Sequence, residues 1–187
     1  MKKIVIFASG SGSNAEKIMQ YFEGHPTSAV AAVLSNKSSA GVLAIAQQFQ
    51  IPTLVFSRED LNNDTVLNFL QTNKPDLIVL AGFLWMFPKS IINEFPGKIV
   101  NIHPALLPAY GGKGMYGLNV HRAVVADGAK QTGITIHYVD EHYDEGATIF
   151  QDAITLLGDE TPEEVAAKVL KLEHAHFARV IDEIINN

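Results

Sequence analysis

The chain has 187 residues, a formal net charge of −6, 47 % hydrophobic and 18 % charged residues, and no cysteine. This composition folds rather than staying disordered. Its charge argues against a broad nucleic-acid surface but leaves room for a local pocket that takes a small anion. The lack of cysteine excludes disulfides, thiolate metal sites and a cysteine nucleophile, and fits a reducing cytoplasm. No stretch reaches the roughly 18 apolar residues of a membrane helix, and the apolar run in "MKKIVIFASGSG" is too short for a signal peptide.

Apolar runs alternate with amphipathic segments. "KKIVIFA" predicts a strand and residues 14 to 23 a helix. "SAVAAVLS" is a strand, 40 to 49 a helix, "IPTLVF" a short strand, and 58 to 73 a helix. "PDLIVLAGF" and "GKIVNIH" are strands with a short helix near 88 to 94 between them. Successive strand–helix units predict a Rossmann-like α/β fold, an open, mostly parallel sheet with helices on both faces. After residue 110 the pattern changes. Glycine-rich "AYGGKGMYG" leads into a helix over about 117 to 127. "TGITIHYV" and "ATIFQDAITLL" are strands whose short acidic connection, "DEHYDEG", favours an antiparallel C-terminal pair. The last helix opens on a capping box, with Thr161 as N-cap, Pro162 at the first helical position and Glu164 at the third, and runs to about residue 185. With no linker or repeat, one domain over 1–187 is expected.

"ASGSGSNA" joins the first strand to the first helix, where open α/β sheets bind phosphate through backbone amides and a helix N-terminus. Gly10, Gly12 and Ala15 satisfy the relaxed dinucleotide pattern. Asn36 and Lys37, however, stand where an acidic residue would hold a ribose, which argues against NAD. Ser11, Ser13 and Asn14 add donors, so a terminal monophosphate on a smaller ligand is favoured over an unliganded turn.

In "KIVNIHPALLP", Asn101 and His103 share a face where a strand ends. Two converging donors would stabilise an oxyanion, the requirement of acyl transfer. The chain has no G-x-S-x-G elbow, so direct attack by a substrate amine is the expected route. A carboxylate nearby would raise the histidine's pKa. Asp140, Glu141, Asp144 and Glu145 lie in one loop, and spacing does not choose among them. The plainer alternative is a core or capping histidine beside a solvated hairpin tip. His137 shares a face with Thr135 and Gly133 and would line or support the site. No spacing supports a metal site. In the last helix, Glu173 falls on the stripe of Ala166, Leu170, Phe177, Val180, Ile181 and Ile184, where a carboxylate needs a partner. That partner is either a structural cation or a ligand amine or hydroxyl. Phe83, Leu84, Trp85, Met86 and Phe87 are either core or a ledge for a flat aromatic cofactor.

Over nearly its whole length the chain resembles the folate-dependent formyltransferases, and within them the enzymes that formylate glycinamide ribonucleotide. "SGSGSN", "AGF", "NIHPALLP", "HYVDEHYDEG" and "LEHAHF" carry the resemblance. It implies formyl transfer from 10-formyltetrahydrofolate to the glycine amine of 5'-phosphoribosylglycinamide in purine biosynthesis, with no metal. By resemblance, Gly12, Ser13 and Asn14 bind the phosphate and Glu173 contacts the ribonucleotide. Asn101 and His103 stabilise the tetrahedral intermediate, and Asp144 is the carboxylate that raises the His103 pKa. Leu84, Trp85, Met86, Phe87 and Asn101 hold the pterin, and Arg58 contacts the folate. Family members often carry arginine where Trp85 stands, and "GGKGMYGLNVH" is longer than in many, so roles for the Trp85 side chain and for Gly111 to Gly117 do not transfer. The implied partners are small molecules rather than nucleic acid or membrane, in the cytoplasm, with the chain a monomer or homodimer. Methionyl-tRNA formyltransferase and formyltetrahydrofolate hydrolase share the site but add a domain, which this length does not lead one to expect. A non-catalytic sensor of a phosphorylated metabolite would need the glycine loop alone.

Overall fold

The computed structural model describes residues 1–187. In chain order the elements are β1 (Lys2–Phe7), α1 (Ser13–Phe22), β2 (Ser28–Ser35), α2 (Gly41–Gln48), β3 (Thr53–Val55), α3 (Arg58–Asn62), α4 (Thr65–Asn73), β4 (Leu77–Leu80), α5 (Lys89–Glu94), β5 (Ile99–His103), α6 (Leu118–Ala126), β6 (Gln131–Tyr138), β7 (Thr148–Thr155) and α7 (Pro162–Asn186). The chain forms two compact units, Met1–Val100 with Ala178–Asn187, and Asn101–Phe177.

In the first unit the strands lie in the order β3-β2-β1-β4, with β5 next to β4. β1 pairs in parallel with β2 and β4, and β2 in parallel with β3. Strand β1 is therefore central, and Ile4, Val5, Ile6 and Phe7 are fully buried. A continuous apolar run is what a parallel strand covered on both faces requires. The strand order reverses direction between β1 and β4, so the loops after these strands meet at the carboxyl end of the sheet. The C-terminal turn of α7 is fastened by Asp182, which accepts hydrogen bonds from Tyr21 Oη (3.1 Å) and Asn186 Nδ2 (2.6 Å).

The helix expected over 58 to 73 is two helices. Ser57 and Asp60 form a capping box that starts α3. The Asn63 side chain then accepts from the Thr65 amide (3.2 Å) and hydroxyl (2.7 Å), and Asp64 turns left-handed at φ 68°. Short polar side chains competing for backbone groups end one helix and begin the next.

In the second unit β6 and β7 are antiparallel. The register shifts at the site end: Ile136 pairs with Phe150 but His137 with Thr148, leaving Ile149 as the extra residue of a bulge. Glycine is required at two places. A Cβ on Gly133 would lie 2.0 Å from the Asp152 carbonyl oxygen, and one on Gly146 1.7 Å from that of Tyr138. The expected capping box of α7 is present: the Glu164 amide donates to Thr161 Oγ1 (3.2 Å), and the Thr161 amide to Glu164 Oε2 (2.8 Å). The buried row of this helix is Val165, Val169, Glu173 and Phe177, at steps of four. The expected Ala166 and Ile184 are only part-buried and Leu170 is exposed, because the row that packs lies one residue earlier in the first turns and Ile185 replaces Ile184 at the end.

Glu160, just before α7, accepts from the amides of Leu157 (3.0 Å) and Gly158 (2.8 Å) and pairs with Lys168 (2.5 Å). The Leu157 amide, Lys168 and the Gly158 amide hold its carboxyl down at about 2. A folded pKa below the unfolded one stabilises the fold above the carboxyl's ordinary value of 4.5, and that contribution is lost as pH falls toward 2. Glu160→Gln should therefore lower the urea midpoint at pH 7 and narrow the gap between the midpoints at pH 7 and pH 3; an unchanged pH dependence contradicts this. Gly146→Ala should destabilise the protein by about 1–3 kcal/mol in the same measurement, because the chain must shift to admit the methyl group.

Candidate functional site

Two sets of candidate residues are assembled, one in each unit. In the first unit the glycine loop leaves β1 and reaches α1 through Gly12, which is left-handed at φ 87°. A Cβ there would meet Val42 Cβ at 2.6 Å, so only glycine fits. The loop is braced at the switch point. The Ser9 amide donates to the Gly82 carbonyl (3.1 Å), the Val42 amide to that of Gly10 (3.3 Å), and the Leu84 amide to Ser9 Oγ (3.1 Å). Gly12, Ser13 and Asn14 thus sit at the opening of a ten-residue helix, where backbone amides and the helix dipole favour an anion.

The apolar run after β4 divides by position. Phe83 and Phe87 are buried and pack edge-on against Phe7, with centroids at 5.5 and 4.9 Å. Leu84 and Met86 are 40 % and 48 % exposed. Trp85 is part-buried, and Arg58 Cζ lies 4.4 Å from its ring centre.

In the second unit Asn101, His103, His137 and Asp144 come together. His103 is buried at the end of β5, and its Nε2–H donates to the Tyr110 carbonyl at 2.8 Å. A carbonyl only accepts, so Nε2 carries the hydrogen. Nδ1 faces Asp144 Oδ2 at 3.5 Å. Of the acidic-loop candidates, Asp144 is the one within reach of this ring. It is left-handed at φ 59°, a conformation aspartate tolerates, and its Oδ2 accepts from the Gly112 amide at 2.9 Å. A Cβ on Gly111 would lie 2.6 Å from Leu107 Cδ2 and 3.3 Å from Asp144 Cβ, so glycine lets this segment close on the carboxylate.

His137 Nδ1–H donates to the Tyr138 carbonyl (2.8 Å), which leaves Nε2 to accept from Asn101 Nδ2 (3.1 Å). Asp144 Oδ1 lies 3.7 Å from the same Nε2. One amide hydrogen of Asn101 is thereby fixed by His137, and the amide keeps a second to offer.

The pKa of His103 departs from the sequence expectation. Burial pushes it below the ordinary histidine value of 6.5; Asp144 and the Tyr110 carbonyl push upward, and His137 adds to the lowering. Asp144 acts in the expected direction, but burial outweighs it and the ring is neutral at pH 7.

Some residues escaped the sequence reading. The Thr135 hydroxyl, fully buried, donates to the Ala105 carbonyl (2.7 Å) and accepts from the Leu107 amide (2.9 Å) and Gln151 Nε2 (2.8 Å). Gln151 Nε2 also donates to the Leu107 carbonyl at 3.0 Å. These side chains clamp the turn that follows His103. The signal for Thr135 was its alternation with His137; Gln151 had none. His121 on α6 is buried, and burial first, then the charge His103 would carry, lowers its pKa. Glu173 is 8 % exposed, on the buried row of α7.

Residues 2–181 match the model of a family described as formyl transferase. The chain is 40 % identical, over 98 % of its length, to the chloroplastic phosphoribosylglycinamide formyltransferase of Arabidopsis thaliana, and spans 65 % of that protein. It is 37 % identical to the Bacillus subtilis phosphoribosylglycinamide formyltransferase, covering 99 % of this chain and 95 % of that one. The crystal structure of glycinamide ribonucleotide transformylase 1 from Geobacillus kaustophilus superposes with a TM-score of 0.90 at 31 % identity, covering 99 % of each chain. The chain thus spans less than two thirds of the plant relative and nearly all of the bacterial ones.

Asp144→Asn removes the charge that raises the His103 pKa while keeping a residue that tolerates the left-handed backbone. The midpoint of the His103 imidazole in a proton NMR titration should move to lower pH; a midpoint that stays or rises would separate the two groups.

Proposed function

The chain belongs to the formyl transferase family, and we propose that it moves the formyl group of 10-formyltetrahydrofolate to the glycine amine of 5'-phosphoribosylglycinamide in purine biosynthesis. The observation that carries this reading is the convergence of Asn101, His103, His137 and Asp144 at the end of β5. The amine adds to the formyl carbon, a C–N bond forms, and the carbonyl oxygen becomes an oxyanion. The second amide hydrogen of Asn101 stabilises that oxyanion, with His137 holding the amide in place. His103 Nε2–H is engaged by the Tyr110 carbonyl, so the oxyanion competes with that carbonyl for the donor. Negative charge growing beside the ring adds to that of Asp144 and raises the imidazole pKa. The proton released by the attacking nitrogen can then rest on His103, which serves as proton donor to the folate nitrogen as the C–N bond to it breaks.

Gly12, Ser13 and Asn14 bind the phosphate of the ribonucleotide under this reading, and Glu173 contacts the same substrate. Leu84, Trp85, Met86 and Phe87 hold the pterin, with Phe87 acting through its backbone because its side chain is buried in the core. Asn101 and Arg58 complete the folate contacts. No metal takes part.

The purified protein should consume 10-formyltetrahydrofolate only when glycinamide ribonucleotide is present, followed as tetrahydrofolate release. Turnover without the ribonucleotide would make it a hydrolase, and none under either condition a binding protein. His103→Ala should keep the fold by circular dichroism and lose about 100-fold or more in kcat. Near-normal kcat would sink the assignment of His103.

A further inference from the structure

In the second unit one rim of the sheet has no neighbouring strand. Strand β7 pairs with β6 on one side and is the last strand of its sheet. Its residues, "TIFQDAIT", are mostly β-branched, aromatic or small, and Asp152 is the only charge among them. The Leu156 amide donates to the Lys130 carbonyl (2.9 Å), so the bonded pairs of this antiparallel ladder fall on Thr132 with Ile154 and Ile134 with Asp152. The amides of the alternate residues, Gln151, Ala153 and Thr155, therefore point to the open rim. A long, flat rim of this composition is a template for another strand.

The middle amide of the three is closed from within the chain. Asp152 Oδ1 accepts from the Ala153 amide at 2.8 Å. Asp152 Oδ2 lies 2.8 Å from His176 Nε2 on α7, and the imidazole rests against Phe150 with ring centres 4.9 Å apart. Both carboxylate oxygens are thus engaged, and α7 holds the side chain at the rim. The bulge at Ile149 distorts the same strand nearer its start. A strand that meets its own copy antiparallel about a twofold axis offers the same residues from both sides, so the partner this rim fits is a second copy of the chain. Pairing centred on the strand needs the Ala153 amide, which the carboxylate already occupies. It would also set two Asp152 carboxylates on neighbouring strands, where like charges repel. We propose that Asp152, held by His176, is a guard that closes the β7 rim to strand addition by a second copy of this chain. Neither residue has a part in the proposed formyl transfer, so the guard stands or falls apart from that reading.

Analytical ultracentrifugation of the full chain reads the guard directly. Asp152→Ala removes both the charge and the acceptor, and should self-associate at concentrations about 10-fold or more below those at which the unaltered protein does. Asp152→Asn keeps an oxygen for the Ala153 amide and loses only the charge, and should fall between the two. Adding Ala153→Pro to Asp152→Ala should restore the unaltered behaviour, because proline offers no N–H to an incoming strand and at this outward position removes no bond of the β6–β7 ladder. In the unaltered protein the Ala153 amide, measured by NMR against its intrinsic rate, should exchange with deuterium about 5-fold or more slowly than that of Thr155. An Asp152→Ala protein that is folded by circular dichroism and sediments as the unaltered one does overturns the guard, as does association that Ala153→Pro leaves in place. Equal exchange at Ala153 and Thr155 also overturns it, and decides the matter should Asp152→Ala fail to fold.

Discussion

A buried imidazole with an acceptor at each nitrogen organises the second unit. His103 faces the Tyr110 carbonyl on one side and the Asp144 carboxylate on the other. Both acceptors favour a protonated ring, and burial favours a neutral one. Burial prevails in this structure, so the ring rests neutral but close to groups that would accept its second proton. Negative charge added beside the ring shifts that balance toward the protonated form, which is the property asked of a group that takes and returns a proton. The other features of the unit follow from holding these atoms in place. The left-handed turn at Asp144, the Gly112 amide and the missing side chain at Gly111 bring the carboxylate in; the Thr135–Gln151 clamp fixes the turn that leaves the strand.

Strand β6 serves as the template for this arrangement. Alternation places Gly133, Thr135 and His137 on one face. Gly133 lets the backbone pass close to the Asp152 carbonyl, Thr135 ties Ala105 and Leu107, and His137 orients Asn101. The bulge at Ile149 shifts the register just at His137, which pairs with Thr148. In the first unit the equivalent constraint is the reversal of strand order beside β1, which brings the glycine loop against the segment after β4 through Ser9.

Much of this was legible along the chain because the signals are local. Strand and helix alternation predicted the parallel sheet, the capping box at Thr161 marked the start of α7, and Asn101 and His103 had to share a face because strand side chains repeat every second residue. Glu173 was visible as a carboxylate on an apolar row. The break at Asn63 and Asp64 was missed because side chains there compete with helix formation over a few residues, inside a longer pattern that reads as one helix. The row of α7 was misplaced by one position, since a helical stripe is broad and only the packing partner decides which edge is buried.

What the sequence determined by itself was the set of parts: a glycine loop at a strand end, a paired amide and imidazole, an acidic loop, an aromatic run, and the fold that puts each at the end of an element. Periodicity and turn chemistry depend on neighbours in the chain, so they survive without coordinates. Only the tertiary structure brought Asp144 within 3.5 Å of His103, gave Asn101 its partner in His137, seated Arg58 on Trp85, and made burial the dominant influence on the central histidine. Those outcomes depend on distances between residues far apart in sequence and on how much water each group loses, and neither quantity is written in local order.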